Sequence, residues 1–472
     1  MQTLIGRSEE QRRLKKYYAS EKSEFVALYG RRRVGKTFLV KSLFESDFVF
    51  YASGIQDGAA VAQIENFNNE IDNYGGRALK EAANWSEAFE NLNDLIAASS
   101  KKRKKVVFLD EISWMGTAPS NFLSALDHFW NRWITSRDDV LLIVCGSATS
   151  WIIDNIVNNT GGLHNRLTGQ IQLAPFSLKE CEDYFRDKGI PLPRFQILEA
   201  YMVFGGVPYY LELFEADRSL AQNIDRMYFE PGAPLKNEYA NLYRALFKNA
   251  DNYIKVIEAL ASKRKGLIRE EISKKSKIKG GGTLTTVLTD LIHCGFVRDY
   301  LAFGKSKRDR LYQLIDPFTF FHLTFSDKQK RFMDNFWIHF NTTPAHSAWS
   351  GYAFELACLL HIPQIKTSLG VSGVLTQASS WRSKTADPGA QIDLVIDRED
   401  KVINLCEMKF ASTEFTIDKA YNAKLRAKRA AFLSETATRK AAHTTLVTTF
   451  GVKHNEYGAE VLFQLTMNDL FI

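Results

Sequence analysis

The stretch Gly30-Arg-Arg-Arg-Val-Gly-Lys-Thr37 decides the fold predicted for the first part of this 472-residue sequence. It fits the pattern G-x-x-x-x-G-K-[ST] in full. An apolar run at 25–29 precedes it, and the apolar spacing of a helix continues from Thr37 to Phe44. A glycine-rich loop between a strand and a helix is typical of a site that binds phosphate through backbone amides.

The residue types in this loop each have a chemical role. The two glycines let backbone N–H groups close around phosphate oxygens without a Cβ in the way. Lys36 is expected to reach the β- and γ-phosphates, and Thr37 to ligate Mg²⁺. The pattern therefore predicts ATP and Mg²⁺ as cofactors. The predicted nucleotide-binding residues of the loop are Gly30, Arg31, Arg32, Arg33, Val34, Gly35, Lys36, Thr37 and Phe38.

A second apolar run, at 106–109, ends in the two carboxylates of Asp110 and Glu111. Asp110 is placed to hold Mg²⁺, directly or through water. Glu111 is predicted to be catalytic, because a carboxylate at this point can polarise the attacking water. A solvated strand end is the alternative, and the phosphate loop earlier in the chain argues against it.

Two further residues are predicted to act on the nucleotide. Ser147 ends the next apolar strand and is expected to hydrogen-bond the γ-phosphate or its attacking water. Arg166, in His164-Asn-Arg-Leu, is expected to neutralise charge that develops in the transition state. For Arg166, an ordinary surface arginine is the alternative.

The first 175 residues alternate between strand and helix patterns, which predicts a parallel sheet with helices on its faces. From 177 to about 250 the pattern is helical, interrupted by Gly205-Gly-Val-Pro208. The predicted strands are 25–29, 48–51, 106–109, 140–145 and 170–173.

These features together resemble the archaeal-type AAA and STAND ATPases. The resemblance lies in the Leu4-Ile-Gly-Arg-x-x-Glu opening, the phosphate loop, the strand ending in Asp-Glu and the Gly205-Gly-Val-Pro208 motif. It covers nearly the whole chain and implies a helical lid, a winged helix and a C-terminal nuclease-like region. It also implies that Pro208 senses the adenine or ribose. A helix start set by proline at its first position is the alternative.

Bulk composition limits the compartment and the partners. The five cysteines form no CxxC pair, so reduced thiols are expected rather than a disulfide framework or zinc site. No apolar run approaches the ~20 residues that cross a bilayer, and no signal peptide is evident, so a cytoplasmic protein without a membrane partner is predicted.

The net charge of +7 is concentrated in one segment. Between Lys255 and Arg310 there are fourteen Lys or Arg and six Asp or Glu. Three helical patterns and a two-stranded wing in this region resemble a winged helix-turn-helix, which makes DNA the predicted partner. A protein-docking module is the alternative. The residues expected to contact DNA are Thr283, Thr285, Thr286, Thr289, Lys305, Lys307, Arg308 and Arg310.

Near the C-terminus, two apolar strands around 391–397 and 402–410 are predicted to form a hairpin centred near Asp400. Such a hairpin places Asp393 opposite Glu407, and Lys409 shares a face with Glu407 because side chains alternate along a strand. The sheet is otherwise apolar, so two carboxylates and a lysine converge on one side of it.

This constellation looks like the core of the PD-(D/E)xK nucleases, although Ile392 stands where the proline of that name would be. The resemblance implies that Asp393 and Glu407 ligate Mg²⁺, that Glu355 is the additional acidic residue, and that Lys409 activates water or steadies the phosphate. A basic helix follows, and it is predicted to present a positively charged surface to the DNA backbone. Its basic residues are Lys419, Lys424, Arg426, Lys428 and Arg429.

The sequence thus predicts an α/β multidomain protein with an ATPase core at 1–175, a helical lid at 176–250, a winged helix at 251–330 and a restriction-endonuclease-like domain at 331–472. The leading hypothesis is an ATP-controlled, metal-dependent DNA endonuclease. The alternative is an ATP-dependent switch that binds DNA or a protein and has an inactive nuclease-like domain. A third interpretation, a homo-oligomeric ring motor, depends on Arg166 acting in trans.

Overall fold

A computed structural model describes the chain over residues 3–76, 79–101, 104–117, 120–159, 161–163, 165–306, 309–326, 335–341, 343–383 and 389–472. The chain divides into two compact units, 1–174 and 175–472, which we call the N-terminal and C-terminal units. The predicted domain bounds at 175, 250 and 330 stay predictions.

The N-terminal unit is built on a five-stranded sheet in the order β2-β3-β4-β1-β5, with every pair of neighbours parallel. Every residue of β1, β3 and β4 is buried, because helices cover both faces of the sheet. The five strands predicted from the sequence are all present. They are β1 (Glu24–Tyr29), β2 (Phe48–Ser53), β3 (Lys105–Asp110), β4 (Val140–Gly146) and β5 (Gly169–Gln172).

Two apolar clusters hold this unit together, one on each face of the sheet. The larger one is rich in aromatic rings, with Trp85, Phe89 and Phe122 in mutual contact. The described helices are α1 (Ser8–Tyr18), α2 (Lys36–Phe44), α3 (Ala60–Ile71), α4 (Trp85–Ala98), α5 (Ile112–Met115), α6 (Phe122–Phe129) and α7 (Thr149–Ile152).

The C-terminal unit begins with a group of helices, as the pattern predicted. Gly205 (φ 69°) caps the end of one helix, and Pro208 is the first residue of the next. Gly206 has φ 67°, and a Cβ there would lie 2.2 Å from the Phe176 carbonyl oxygen, so only glycine fits. The helices are α8 (Leu178–Asp187), α9 (Arg194–Phe204), α10 (Pro208–Glu212), α11 (Leu220–Tyr228) and α12 (Glu238–Leu246).

A module of three helices and a small antiparallel sheet follows, which we call the basic module (residues 250–314). Its sheet has three strands in the order β6-β8-β7, whereas the sequence predicted only a two-stranded wing. The extra strand has two residues, too few for a pattern to reveal it. The elements are α13 (Ala250–Ala261), β6 (Leu267–Ile268), α14 (Arg269–Ser276), α15 (Gly282–His293), β7 (Val297–Tyr300) and β8 (Leu311–Leu314).

The last part of the chain contains a mixed five-stranded sheet in the order β13-β12-β11-β10-β9. Strands β9 to β11 are antiparallel, while β12 and β13 run parallel to β11. The predicted hairpin is β10–β11, and the other three strands were not predicted. The elements are α16 (Pro317–Phe321), α17 (Phe336–Phe340), α18 (Pro344–Leu360), α19 (Ile362–Ser368), β9 (Thr376–Arg382), β10 (Gln391–Arg398), β11 (Val402–Lys409), α20 (Lys419–Thr436), β12 (Ala441–Thr448) and β13 (Phe463–Leu465).

Two further expectations bear on the environment of the chain. All five cysteines lie within the described residues, are buried and form no disulfide. In the part of the chain that the structure describes, no helix combines the length and apolar character needed to span a bilayer.

Candidate functional site

The loop between β1 and α2 has the backbone geometry that its glycines permit. Gly30 has φ +153°, and a Cβ on it would lie 2.3 Å from the Leu173 carbonyl oxygen, just beyond β5. Gly35 (φ 87°) is the N-cap of α2 and has open space around it. The loop therefore passes close to the sheet at Gly30 and presents the amino end of a helix at Gly35.

Lys36 is the first residue of α2, directly after the loop, and is 5% exposed. Its Nζ donates to the carbonyl oxygens of Gly30 (2.8 Å) and Arg31 (3.0 Å) and to the Oγ of Ser147 (3.1 Å). Hydrogen bonds therefore join the ammonium group both to the start of the loop and to Ser147, the residue that follows β4.

The carboxylates that follow β3 complete this arrangement. Thr37 Oγ1 donates to Asp110 Oδ2 at 2.6 Å, which brings together the two side chains predicted to hold Mg²⁺. Glu111 takes a left-handed conformation (φ 48°) and accepts hydrogen bonds from the backbone N–H (3.0 Å) and Oγ (2.5 Å) of Ser147. The structure therefore brings five predicted residues into one connected network, which includes Lys36.

The remaining loop residues differ in their surroundings. Arg31 and Val34 are buried, while Phe38 is 39% exposed on the first turn of α2. Arg32 and Arg33 are half-buried, and Arg33 has φ 72°. A residue that the sequence reasoning did not assign to the site is Arg7, which is 5% exposed and donates to the Val34 carbonyl oxygen at 3.2 Å. The sequence did contain a clue to Arg7, because this residue belongs to the Leu4-Ile-Gly-Arg7 stretch that carries part of the family resemblance.

The two other residues predicted to act at the nucleotide, Arg166 and Pro208, have different surroundings. Arg166 is exposed in a turn after Leu163, and His164 lies outside the described residues. Pro208 belongs to the C-terminal unit, where it starts α10 as the structural alternative expected. Their roles at the nucleotide stay predictions.

In the C-terminal unit, the β10–β11 hairpin has the predicted register. Leu394 pairs with Cys406 and Asp397 with Ile403, so the partners are equally distant from Asp400. Extending this register by one residue places Asp393 opposite Glu407. Asp393 Oδ2 also lies 3.5 Å from the backbone nitrogen of Met408.

Glu355 and Glu407 are buried at this end of the sheet. Burial raises the pKa of Glu407 to about 7, and the Asp393 carboxylate adds to that rise. Burial likewise raises the pKa of Glu355, with Asp393 again the next cause. The Asp393 carboxylate on β10 therefore acts electrostatically on two buried carboxyl groups, Glu355 on α18 and Glu407 on β11. We call Glu355, Asp393 and Glu407 the acidic cluster.

Lysines neutralise the acidic cluster. Lys428 Nζ on α20 contacts both oxygens of Glu407 at 2.7 Å. Lys265, from the turn between α13 and β6, contacts Glu355 and Asp393. Nothing in the sequence distinguished Lys265 from its basic neighbours. Lys409 Nζ lies 5.6 Å from the centre of the Tyr421 ring.

The donor atoms at both places suit Mg²⁺, which prefers carboxylate and hydroxyl oxygens. Thr37 and Asp110 offer such a pair in the N-terminal unit, and Glu355 and Asp393 already hold one cation, the Lys265 ammonium. Among the described residues, however, no group of three or more His, Cys, Asp or Glu side chains is gathered so that it could hold a metal ion.

The residues predicted to contact DNA are partly engaged with the protein. Thr283, Thr285, Thr286 and Thr289 are all exposed along one face of α15. Arg310 pairs with Asp299, and Lys307 and Arg308 lie outside the described residues. On α20, Lys428 and Arg426 form ion pairs with Glu407 and Glu460. Lys419, Lys424 and Arg429, also on α20, are exposed.

Comparison with known proteins identifies the first part of the chain. Residues 4–214 match a family model described as an ATPase domain predominantly from Archaea. The chain thus contains an archaeal-type ATPase domain, which covers the phosphate loop, Asp110, Glu111, Ser147 and Pro208. An uncharacterized protein of Methanocaldococcus jannaschii is 24% identical over 328 residues, 68% of each chain.

Solved structures were compared with the chain as well. The Walker-type ATPase of Pyrococcus abyssi superimposes with a TM-score of 0.52 at 18% identity, over 68% of this chain and 96% of that one. The ORC2 protein of Aeropyrum pernix, solved with ADPNP and ADP, gives a TM-score of 0.43 at 14% identity, over 68% and 93% of the two chains. The first likeness supports a Walker-type ATPase fold.

Proposed function

We propose that this chain hydrolyses ATP at the loop between β1 and α2 and that its ATPase controls a metal-dependent DNA endonuclease in the C-terminal unit. The observation that carries the ATPase part is the hydrogen-bonded network of Lys36, Ser147 and Glu111 beside the Thr37–Asp110 pair. An ATPase domain match over the same residues supports it.

We infer a role for each side chain of this network. Lys36, now bonded to carbonyl and hydroxyl oxygens, exchanges these acceptors for phosphate oxygens, which bind an ammonium more strongly. Thr37 and Asp110 hold Mg²⁺, which neutralises phosphate charge when bound. Glu111, fixed by two hydrogen bonds to Ser147, accepts the proton of the attacking water.

Phosphate release from ATP tests this assignment. The wild-type chain should release phosphate only with Mg²⁺. Asp110→Asn should slow release at low Mg²⁺ more than at high Mg²⁺, because it weakens the metal contact and leaves the loop intact. If Asp110→Asn and Lys36→Ala both hydrolyse ATP like the wild type, the site is wrongly assigned.

The endonuclease part is supported by the acidic cluster with Lys409 and the basic face of α20. Bound Mg²⁺ would activate water and stabilise charge on the scissile phosphate. Asp393 and Glu407 are the proposed ligands, together with the Met408 carbonyl. Glu355 contributes further negative charge, and Lys409 holds the phosphate or the attacking water.

DNA is the proposed partner because exposed threonines line α15 and exposed cations line α20. Short polar side chains on a helix suit entry into a major groove, and lysines and arginines bind phosphates. On this proposal the basic module binds double-stranded DNA, and the metal-dependent cleavage takes place at the acidic cluster.

Cleavage of plasmid and branched DNA separates the endonuclease from the non-cutting switch. The wild type should cut with Mg²⁺, and Asp393→Ala and Lys409→Ala should not. Binding of DNA without any cleavage, or equal cleavage by the variants, would support the switch.

Coupling between the two activities is tested with Lys36→Ala. If ATP controls the nuclease, this variant should cleave DNA without any response to ATP. Unchanged cleavage with an unchanged ATP response would refute the coupling. Gel filtration with ATP addresses the ring alternative, because a ring motor using Arg166 in trans requires a nucleotide-dependent oligomer.

A further inference from the structure

The side chain of Lys265 occupies the space between two members of the acidic cluster. Its Nζ lies 2.6 and 2.5 Å from the two oxygens of Glu355 and 2.8 Å from Oδ1 of Asp393. The two carboxylate side chains are only 9% and 14% exposed. Three carboxylate oxygens therefore surround a single positive charge.

The backbone around Lys265 is fixed from two sides. Tyr300 on β7 donates its hydroxyl to the Lys265 carbonyl oxygen at 2.8 Å. The Arg264 carbonyl oxygen accepts from Gln313 on β8 at 2.9 Å and from the Tyr352 hydroxyl on α18. The turn is thus tied both to its own sheet and to the helix that carries Glu355.

We propose that Lys265 is an intramolecular competitor for the divalent cation of the acidic cluster and keeps the proposed nuclease inactive while the basic module is docked. This inference rests on the endonuclease proposal. The ammonium contacts Oδ1 of Asp393, one of the two proposed metal ligands, and both oxygens of the neighbouring Glu355, so a metal ion binds to Asp393 there only after Lys265 leaves. Without the lysine, two adjacent buried carboxylates lack a counter-charge and bind a cation more tightly.

Two features allow the Lys265 side chain to leave Glu355 and Asp393. Its side chain is 36% exposed and flexible, so it can swing into solvent. It also belongs to the basic module, whereas Lys428, the partner of Glu407, lies on α20 beside the cluster. A movement of the basic module on DNA therefore removes Lys265 and leaves Lys428 in place.

Calorimetric titration of Mn²⁺ into the nucleotide-free full chain tests the proposal. Lys265→Gln should bind Mn²⁺ about tenfold more tightly than the wild type or more, and Mn²⁺ should raise its Tm. Lys263→Gln is the matched control, because Lys263 in the same turn pairs with Glu271 at 2.8 Å, away from the cluster. Asp393→Ala should abolish the tight binding in the Lys265→Gln background.

A second variant guards against misfolding of the first. Tyr352→Phe removes the hydrogen bond to the Arg264 carbonyl and the one accepted from Gln313, but no charge, so it should raise Mn²⁺ affinity by a smaller factor. Equal, Asp393-dependent affinity in wild type and Lys265→Gln would overturn the competition and leave the proposed metal site standing. Weaker binding by Lys265→Gln would also overturn it. If neither folded protein binds Mn²⁺ through Asp393, the endonuclease proposal fails first.

Discussion

Replacing Gly30 by alanine should destabilise the N-terminal unit far more than the same change at Gly35. Both glycines have positive φ, +153° and +87°, and left-handed strain costs an alanine about 1–2 kcal/mol. At Gly35 the new Cβ meets nothing within 4 Å, so the strain is the whole cost. At Gly30 the Cβ would lie 2.3 Å from the Leu173 carbonyl oxygen, a backbone atom that cannot move alone.

Relief of that clash must shift the backbone after β5. Leu173 donates its N–H to the Tyr29 carbonyl at 2.7 Å, so the shift also strains the edge pairing of the sheet. Overpacking of this kind adds about 2–3 kcal/mol, which brings the cost of Gly30→Ala to about 3–5 kcal/mol. For a unit of this size, the Tm should fall by about 10 °C for Gly30→Ala and about 3–5 °C for Gly35→Ala.

Differential scanning fluorimetry in the absence of nucleotide measures this contrast. Both variants are expected to lose nucleotide affinity, so only the difference in Tm discriminates between them. If Gly30→Ala is as stable as Gly35→Ala, then Gly30 does not pass against the sheet as described, and the loop geometry is wrong.

Three further changes follow from individual side chains. Glu111→Gln should keep ATP binding and slow hydrolysis about 10²–10⁴-fold, since it removes only the proton acceptor; unchanged turnover in a phosphate-release assay would exclude Glu111 as the base. Burial raises the pKa of Glu199 on α9 from 4.5 to about 7, so the folded chain favours the protonated carboxyl. The free energy of unfolding therefore falls as the pH rises through about 7 and this carboxyl ionises in the folded chain. Glu199→Gln should therefore leave urea stability unchanged near pH 4 and raise it by up to about 3 kcal/mol at pH 8, and equal stability at both would contradict the burial. Replacing Lys419, Lys424 and Arg429 with alanine should weaken DNA binding and reduce the slope of log affinity against log salt by about three; an unaltered slope would place the DNA elsewhere.

Much of the N-terminal unit could be predicted because its signals are local. Strands such as β1 and β4 are apolar at nearly every position, and the phosphate loop fixes which strand precedes which helix. The residues around Lys36 were predicted one by one from the sequence, and they lie together because parallel strands end at one edge of the sheet.

The β10–β11 hairpin was equally predictable, because two apolar strands separated by a short charged turn allow few registers. The strands β9, β12 and β13 were missed. Strand β9, with the sequence TQASSWR, has only two buried residues, and β13 has three residues in all. Their assignment to the sheet depends on tertiary neighbours that no periodicity reveals.

Lys265 shows the limit of sequence reasoning most clearly. It stands in the run Ser262-Lys-Arg-Lys-Gly266, where a pattern indicates only a basic turn. Its contact with Asp393 joins residues 128 positions apart, and only the packing of the basic module against α18 brings them together.

Calorimetric titration of ATP with Mg²⁺ into the folded chain tests the central claim most directly. Heat of binding is expected at about one nucleotide per chain for the wild type, and its loss is expected in Lys36→Ala, because that change removes a buried ammonium group beside the loop. Absence of heat from well-folded wild-type protein, or the same heat from Lys36→Ala, would contradict it.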